Sequence, residues 1–583
     1  MDSDDHEFRV RPSPARDRGA GAGRQGKKLA AQVKRAAMRA GYTRTGGGRR
    51  PGGGTGRHGR GRTAAIAGRR SPGQRRVVTM ARVVRHGGSK FRAAPLTRHI
   101  AYLERDGVSR DGRNAAMFDQ SSDTANRDAF AERCDGDRHH FRFIISPEDA
   151  GEMQDLRGFT RELMGDMARD LGTKLDWVAV DHWNTDNPHI HVLVRGRADD
   201  GADLVIDRGY IKEGMRQCAE ERVTLELGPR TEHEIHRALV KEVTADRWTS
   251  LDRHLQSLAD EGGGIANLQP GIPIGDDRRS LLLGRVARLE RMGLADPAGP
   301  ASWTLKPGVK TTLRDLAVRN DIIKTMHRTL SDAGRSPDSS GFAIHGEAAT
   351  DPVIGRLVAR GLHDELVGSA YAVIDGVDGR THHLTFSDLD MTGDARPGAI
   401  VELRSWDDAK GARRRSLAVR SDLSIKAQVT APGATWLDRQ NLSRTPVATG
   451  NGFGQEVRDA MAARGDHLVV GGLARRQGQA VIFQRDLLDT LAKRELTDAA
   501  ATISARTGLA HRPSTSGELV SGTYRERINL SSGRFALIDD GLSFQLVPWR
   551  PAIELSLGRH VTGTLIPSGT VDWTIGRTRG LSI

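Results

Sequence analysis

Three histidines fall within ten residues of one stretch, Asp181-His182-Trp183-Asn184-Thr185-Asp186-Asn187-Pro188-His189-Ile190-His191. His189 and His191 stand two apart in an apolar run, His189 to Val194, that reads as a β-strand. Alternate strand residues share a face, so the two imidazoles point one way while Ile190, Val192 and Val194 point the other. His182 ends the preceding apolar run, Leu175 to Val180. The three rings converge only if these two runs pair, with Asn184 to Pro188 as the turn. Neutral imidazole is the commonest side-chain metal ligand, and three such ligands leave coordination positions open for a substrate.

Such a site suits metal-assisted attack on a phosphoryl or carbonyl centre, and the nucleophile decides between them. The sequence contains no His-Glu-x-x-His, no Gly-x-Ser-x-Gly elbow and no phosphate-binding Gly-x-x-x-x-Gly-Lys-Ser/Thr. Of five tyrosines, only Tyr102 and Tyr210 lie near the histidines in sequence. Tyr102 sits in Arg98-His99-Ile100-Ala101-Tyr102-Leu103-Glu104-Arg105-Asp106-Gly107. A phenol beside a bound cation is a competent nucleophile towards phosphorus, whereas on an amphipathic helix a tyrosine more often only packs. Asp207-Arg208-Gly209-Tyr210 follows a strand and opens a helix, which suits either a DNA contact by Arg208 and Tyr210 or a plain helix cap. His139-His140 open a strand, and His382-His383 read as surface residues with no third ligand near in sequence.

The elements that must position these groups follow from periodicity. Val77 to Val84 reads as a strand, Pro95 opens a helix towards Arg105, and His139 to Ile145 is a second strand. Ser146-Pro147-Glu148-Asp149 has the form of a helix start, a serine cap followed by proline and two acids. That helix runs to Leu171, the histidine strands follow, and Tyr210 to Leu225 is a further helix. The expected fold class is α+β, an antiparallel sheet with helices on one face, over residues 75–235.

Residues 240–583 repeat a pattern of helix, Gly-Leu-Ala, hairpin and helix, followed by β-rich sequence. Tyr371-Ala372-Val373-Ile374-Asp375 matches Phe535-Ala536-Leu537-Ile538-Asp539. The reading is two winged-helix-like units, 240–335 and 430–500, each leading into a small β-barrel-like unit, 345–425 and 510–583. Basic residues recur in both helical units, among them Arg285, Arg288 and Lys306 in the first and Arg464, Arg476 and Lys493 in the second. They are candidates for duplex contact.

The formal net charge is +14, and residues 1–95 carry 24 Lys and Arg against five acids. Residues 1–73 are Gly- and Arg-rich and read as a disordered basic tail suited to phosphates. Two cysteines exclude a disulfide framework and a thiolate zinc cluster. No apolar run is long enough to span a bilayer, and no secretory leader is apparent. A cytoplasmic location is expected.

Taken together, the tyrosine and histidine motifs resemble those of the relaxases, or mobilisation nucleases, of conjugative plasmids and T-DNA border cleavage. These belong to the histidine–hydrophobe–histidine (HUH) tyrosine nucleases. Tyr102 to Gly107 is similar to the N-terminal tyrosine motif, Asp181 to His191 to the metal motif, and Ser146 is placed like the residue that holds DNA beside the nick. The resemblance covers about residues 75–230, and the remainder resembles an uncharacterised extension on a subset of relaxases. It implies a metal-dependent endonuclease that nicks single-stranded origin DNA to start conjugative or mobilisation transfer. Tyr102 would be the nucleophile, His182, His189 and His191 would hold Mg²⁺ or Mn²⁺, and the product would be a 5′-phosphotyrosine adduct. Asn184 stands where many relatives carry an acid, which leaves Asp181 and Asp186 to orient an imidazole. Implied partners are single-stranded DNA, its duplex flank, and accessory relaxosome and secretion-coupling proteins. The rival reading is an inactive relaxase-fold protein that holds DNA without cleaving it.

Overall fold

A computed structural model describes residues 60–61, 73–86, 94–104, 109–110, 115–183, 187–271, 273–335, 339–345, 352–408, 411, 413–567 and 569–574. Most of the expected basic tail, and Asn184 and Asp186, lie outside them. The chain forms two compact units, Met1–Thr311 and Thr312–Ile583.

The first unit is built on a four-stranded antiparallel sheet. Its strands are β1 (Val77–Arg85), β2 (His139–Pro147), β3 (Trp177–His182) and β4 (His189–Arg195), in the order β1-β2-β4-β3. Strand alternation divides its residues cleanly. Phe141, Phe143, Ile145, Ile190, Val192 and Val194 face one way and join a core with α3 (Leu156–Leu171) and α4 (Met215–Leu227). Val178, Val180 and Leu193 face the other way. They pack with Leu96, Ile100 and Leu103 of α1 (Ala94–Leu103) and Phe130 of α2 (Arg127–Arg133). The fold class is α+β as expected, but helices cover part of the second face as well as the first. Burial pushes the Cys134 thiol in that second core up to about 12, so it packs as an inert apolar group.

The helix start read at Ser146 is not used. Val78 pairs with Ser146 and Val77 with Pro147, so the β1 ladder carries β2 through the proline. After a 3₁₀ turn, Ala150–Glu152, the helix begins at Leu156. Asp155 caps it by accepting from the Gly158 amide at 2.8 Å, and Gly172 closes it with φ 61°. A cap motif loses to a ladder when the neighbouring strand is long enough to claim its backbone.

Beyond this sheet, α5 (Glu232–Val243), α6 (Ser250–Glu261) and α7 (Asp276–Arg291) accompany a small sheet in the order β5-β7-β6, whose first strand lies between α6 and α7. Its strands are Ile265–Asn267, Ala295–Gly299 and Ser302–Leu305. The long α8 (Val309–Asp332) follows.

The second unit holds a six-stranded sheet ordered β13-β12-β9-β10-β11-β8. Its strands are β8 (Phe342–His345), β9 (Ile354–Asp364), β10 (Ser369–Gly376), β11 (Thr381–Phe386), β12 (Ile400–Asp407) and β13 (Arg413–Ser421). Next come α9 (Ile425–Thr430), α10 (Trp436–Leu442), α11 (Phe453–Val470), a β14–β15 hairpin (Ala474–Gln477, Ala480–Phe483) and α12 (Leu487–Thr507). A second six-stranded sheet closes the chain, ordered β16-β19-β18-β17-β20-β21. Its strands are Ala510–His511, Leu519–Leu530, Gly533–Asp539, Ser543–Pro548, His560–Leu565 and Val571–Trp573 for β16 to β21. The two large sheets have the same order. In each, the first strand pairs in parallel with the fourth, β8 with β11 and β16 with β19. Neither closes on itself among the described residues, so these are open sheets and not the small barrels expected.

The helical parts repeat as faithfully. Thr249 caps α6 with a reciprocal Asp252 bond, and Thr435 caps α10 with Asp438 in the same way. Arg285 then donates to both Asp252 oxygens at 2.7 and 2.9 Å and to the Val243, Ala245 and Arg247 carbonyls. Arg464 donates to Asp438 at 2.8 and 2.9 Å and to the Val429, Ala431 and Gly433 carbonyls. Both arginines are wholly buried. They are therefore structural locks, not the DNA-facing cations their basicity suggested; the locked chain segments satisfy every donor of the guanidinium.

Candidate active site

The hairpin read from sequence forms with His182 directly opposite His189. The three imidazoles share one face, with ring centroids 4.5 to 5.4 Å apart. Their ligand nitrogens lie within 4.8 Å of one another. Backbone carbonyls set two tautomers. The Leu103 carbonyl lies 2.8 Å from His182 Nε2, and a carbonyl only accepts, so Nε2 carries the proton and Nδ1 the lone pair. The Asn187 carbonyl lies 3.0 Å from His189 Nδ1, which leaves the His189 lone pair on Nε2. That nitrogen is 3.2 Å from His191 Nε2. Two nitrogens at this spacing fit a common cation: at metal–nitrogen bonds of about 2.1 Å they subtend roughly 100°, between octahedral and tetrahedral angles. The donor set and its outer carbonyls fit a divalent metal ion.

Tyr102 is half-buried at the end of α1, and the peptide carbonyl of the next residue is the one bonded to His182. Ser146, half-buried, lies on the same sheet face as His189 and His191 and donates to the Pro188 carbonyl at 3.3 Å. Three of the expected groups are elsewhere. Asp181 alternates to the opposite face, where its carboxylate accepts from Arg157 Nε at 3.0 Å and Trp183 Nε1 at 2.7 Å. Carbonyls, not Asp181, orient the imidazoles. Tyr210 is buried in the first core and donates to Asp170 Oδ2 at 3.0 Å. Burial and the acid beside it push its phenol far above the usual range, so it is neither a DNA contact nor a second nucleophile. Arg208 is exposed, beyond the Arg195 end of β4 and away from its histidine end. Asn184 and Asp186 lie outside the described residues.

Sequence reasoning missed two arginines. Arg82 and Arg142 are direct cross-strand partners on the face that carries His189 and His191. Neither makes an ion pair with an acid among the described residues. Burial, then repulsion from Arg82, lowers the Arg142 guanidinium to about 10. Like charges opposed across a ladder are destabilising, and a half-buried cation without an acid more so. Arg142 is held by a chain of imidazoles. Its Nε donates to His140 Nε2 at 3.1 Å, His140 Nδ1 meets His86 Nε2 at 2.7 Å, and His86 Nδ1 donates to the Asp137 carbonyl at 2.8 Å. Burial, with Arg142 and His86 nearby, lowers His140 to about 2, so it stays neutral and keeps accepting from the arginine. Along β2, Arg142 is one same-face step, about 7 Å, from Ile144, the partner of His191. The signal was legible only once β1 was paired with β2, because parity on two separate strands says nothing until their register is known.

A family model described as "Protein of unknown function (DUF3363)" matches residues 282–414 and 404–582. No curated protein matches the chain.

Proposed function

The chain belongs to the DUF3363 family, and we propose that it is a site- and strand-specific DNA relaxase acting by tyrosine transesterification at the three-histidine site. The observation that carries this reading is the 2.8 Å bond from His182 Nε2 to the carbonyl beside Tyr102. It tethers the expected nucleophile one residue from three convergent imidazoles. The Arg82–Arg142 pair adds a demand for an anion on the same face, as a DNA backbone supplies.

In the proposed reaction the Tyr102 hydroxyl attacks the scissile phosphorus and gives up its proton. The phosphorus–O3′ bond breaks, the 3′ oxygen takes a proton, and the 5′ phosphate stays on the tyrosine. A divalent cation, Mg²⁺ or Mn²⁺, held by His182, His189 and His191 would supply Lewis-acid polarisation of the phosphate. Arg142, oriented by His140, would hold the neighbouring phosphate and fix the strand relative to Tyr102. Ser146 would position the strand at the other end of the face.

Denaturing electrophoresis of the full chain with labelled single-stranded origin DNA tests this. A covalent adduct is expected from the native protein and none from Tyr102→Phe, with DNA affinity kept within a few-fold. Binding without an adduct from the native protein, with Mn²⁺ supplied, would instead favour the inactive DNA-holding reading.

A further inference from the structure

The first large sheet sorts its polar residues by depth. His382 and His383, read from sequence as surface residues, are buried near its β8 edge. There Asp378 lies 3.0 Å, and His345 of β8 2.8 Å, from His382. The opposite edge is open. β12 pairs with β9 only from Ile400 to Glu402, and from Arg404 outward it pairs with β13 alone. Residues 404–407 and 413–416 therefore extend past the sheet as a two-stranded ribbon.

Trp406 stands on this ribbon with 44% of its surface exposed. It alone of the eight tryptophans is exposed. Trp549 of the last sheet shows the alternative. Arg527 and Arg534 lie 4.8 and 5.4 Å from its ring, and its indole N–H donates to Glu554 at 2.9 Å. Trp406 has no such partner among the described residues. Alternation puts Arg404 on the face of Trp406, about 7 Å along the strand, and Arg414 lies directly opposite Trp406, about 5 Å across. Both arginines are exposed. Arg414 engages Asp408 through Nε at 2.9 Å, which leaves its terminal nitrogens for a second acceptor. The acid nearest Arg404 is Glu402 at 3.7 Å, and Glu402 is already paired with Arg420. Along the ribbon Arg404, Arg413, Arg414 and Arg415 outnumber Asp407 and Asp408.

The chain's own duplication supplies a control. With Tyr371–Asp375 aligned on Phe535–Asp539, Arg356 corresponds to Thr523 and Ile400 to His560. The ladders then place Thr564 where Arg404 stands, Ile566 where Trp406 stands and Thr570 where Arg414 stands. The hairpin folds in the second copy without the indole or either cation, so none of the three is there to build it.

We infer that this ribbon is a grip for single-stranded nucleic acid, with a base stacked on Trp406 and the adjoining phosphates held by Arg404 and Arg414. An indole face accepts any unstacked base, and arginines beside it pair with the backbone whatever the sequence. Single-stranded DNA and RNA offer the same base faces and phosphates. The grip lies on the second unit and does not depend on DNA nicking.

The test uses the full chain in EDTA, so that no nicked adduct contributes. An oligothymidylate carrying 5-bromodeoxyuridine, and its 5-bromouridine RNA counterpart, are crosslinked to the protein by ultraviolet light. Tryptic peptides are then read by mass spectrometry. A nucleotide on residues 405–410 is expected, and the strand that labels them more heavily identifies the source. Trp406→Ala should weaken single-strand binding at least about fivefold, the lower end of what stacking one base contributes, while Trp406→Phe keeps most of the affinity. Arg404→Gln and Arg414→Gln should each flatten the slope of log affinity against log salt by about 0.7. A blunt duplex of the same length, its bases already stacked, should leave residues 405–410 unlabelled. Labels found only on other peptides, equal labelling by the duplex, or unchanged affinity in Trp406→Ala that retains native circular dichroism would overturn the proposal.

Discussion

Reversing the charge at Arg82 should make the protein more stable and a poorer DNA binder at once. In Arg82→Glu the cross-strand neighbour of Arg142 changes from like to opposite charge. Each such pair is worth about 0.2–1 kcal/mol, unfavourable before and favourable after, so the gain is on the order of 0.5–2 kcal/mol. At roughly 2–4 °C per kcal/mol for a domain of this size, the melting temperature without DNA should rise by several degrees. Binding should move the other way. The substitution removes one cation from the phosphate face and engages a second, so about two phosphate contacts are lost. At about 0.7 per contact for single strands, the slope of log affinity against log salt should flatten by about 1.4. Differential scanning fluorimetry and fluorescence anisotropy over a salt series measure the two quantities. A melting temperature equal to or below that of the native protein, with an unchanged salt slope, would refute the argument that these arginines await a phosphate.

Other consequences are equally open to measurement. His191→Ala should lower the rate of adduct formation more than about a hundredfold, and EDTA should stop it until Mg²⁺ or Mn²⁺ is restored; adduct formed by the thoroughly chelated protein would exclude a metal role. His140 is held neutral in the fold, so the unfolded chain takes up its proton first as pH falls below 6.5. Stability should therefore drop between pH 6.5 and about 2 by up to 1.36 kcal/mol per pH unit from this residue alone, and urea unfolding of His140→Gln should show a shallower acid decline. Arg464→Ala leaves Asp438 buried and unpaired and should cost about 3–5 kcal/mol; since the side chain is enclosed, DNA affinity of the folded variant should be unchanged, and a loss of affinity at low temperature would return Arg464 to the surface role first read for it.

What the sequence exposed was local. The alternation in His189 to Val194 and the break at Asn184 to Pro188 specify both a hairpin and the face its histidines share. The duplicated β motif was visible because Tyr371–Asp375 and Phe535–Asp539 are contiguous. What it concealed depends on pairing between distant segments. Arg82 meets Arg142, and His345 meets His382, only through strand register. Asp181 was misjudged because proximity in sequence suggested contact, whereas adjacent strand residues point apart. Arg285 and Arg464 were misjudged because a basic residue is assumed to be wet. Their burial follows from an Asp and three carbonyls contributed by a preceding segment, a constellation with no local signature.

The two arginine locks use the same key. Each guanidinium would satisfy the other's aspartate and carbonyls nearly as well as its own, so an unfolded chain can close them crosswise. Span favours the right choice. Arg285 lies 33 residues from Asp252 and Arg464 lies 26 from Asp438. A crossed closure of either arginine spans roughly five to eight times as much chain, about two to three doublings, and costs about 1.3–1.8 kcal/mol more in loop entropy. That margin is modest at equilibrium but is reinforced by order of synthesis. The first guanidinium can close on its own cap before the second repeat exists, whereas a chain refolding from denaturant meets both caps together.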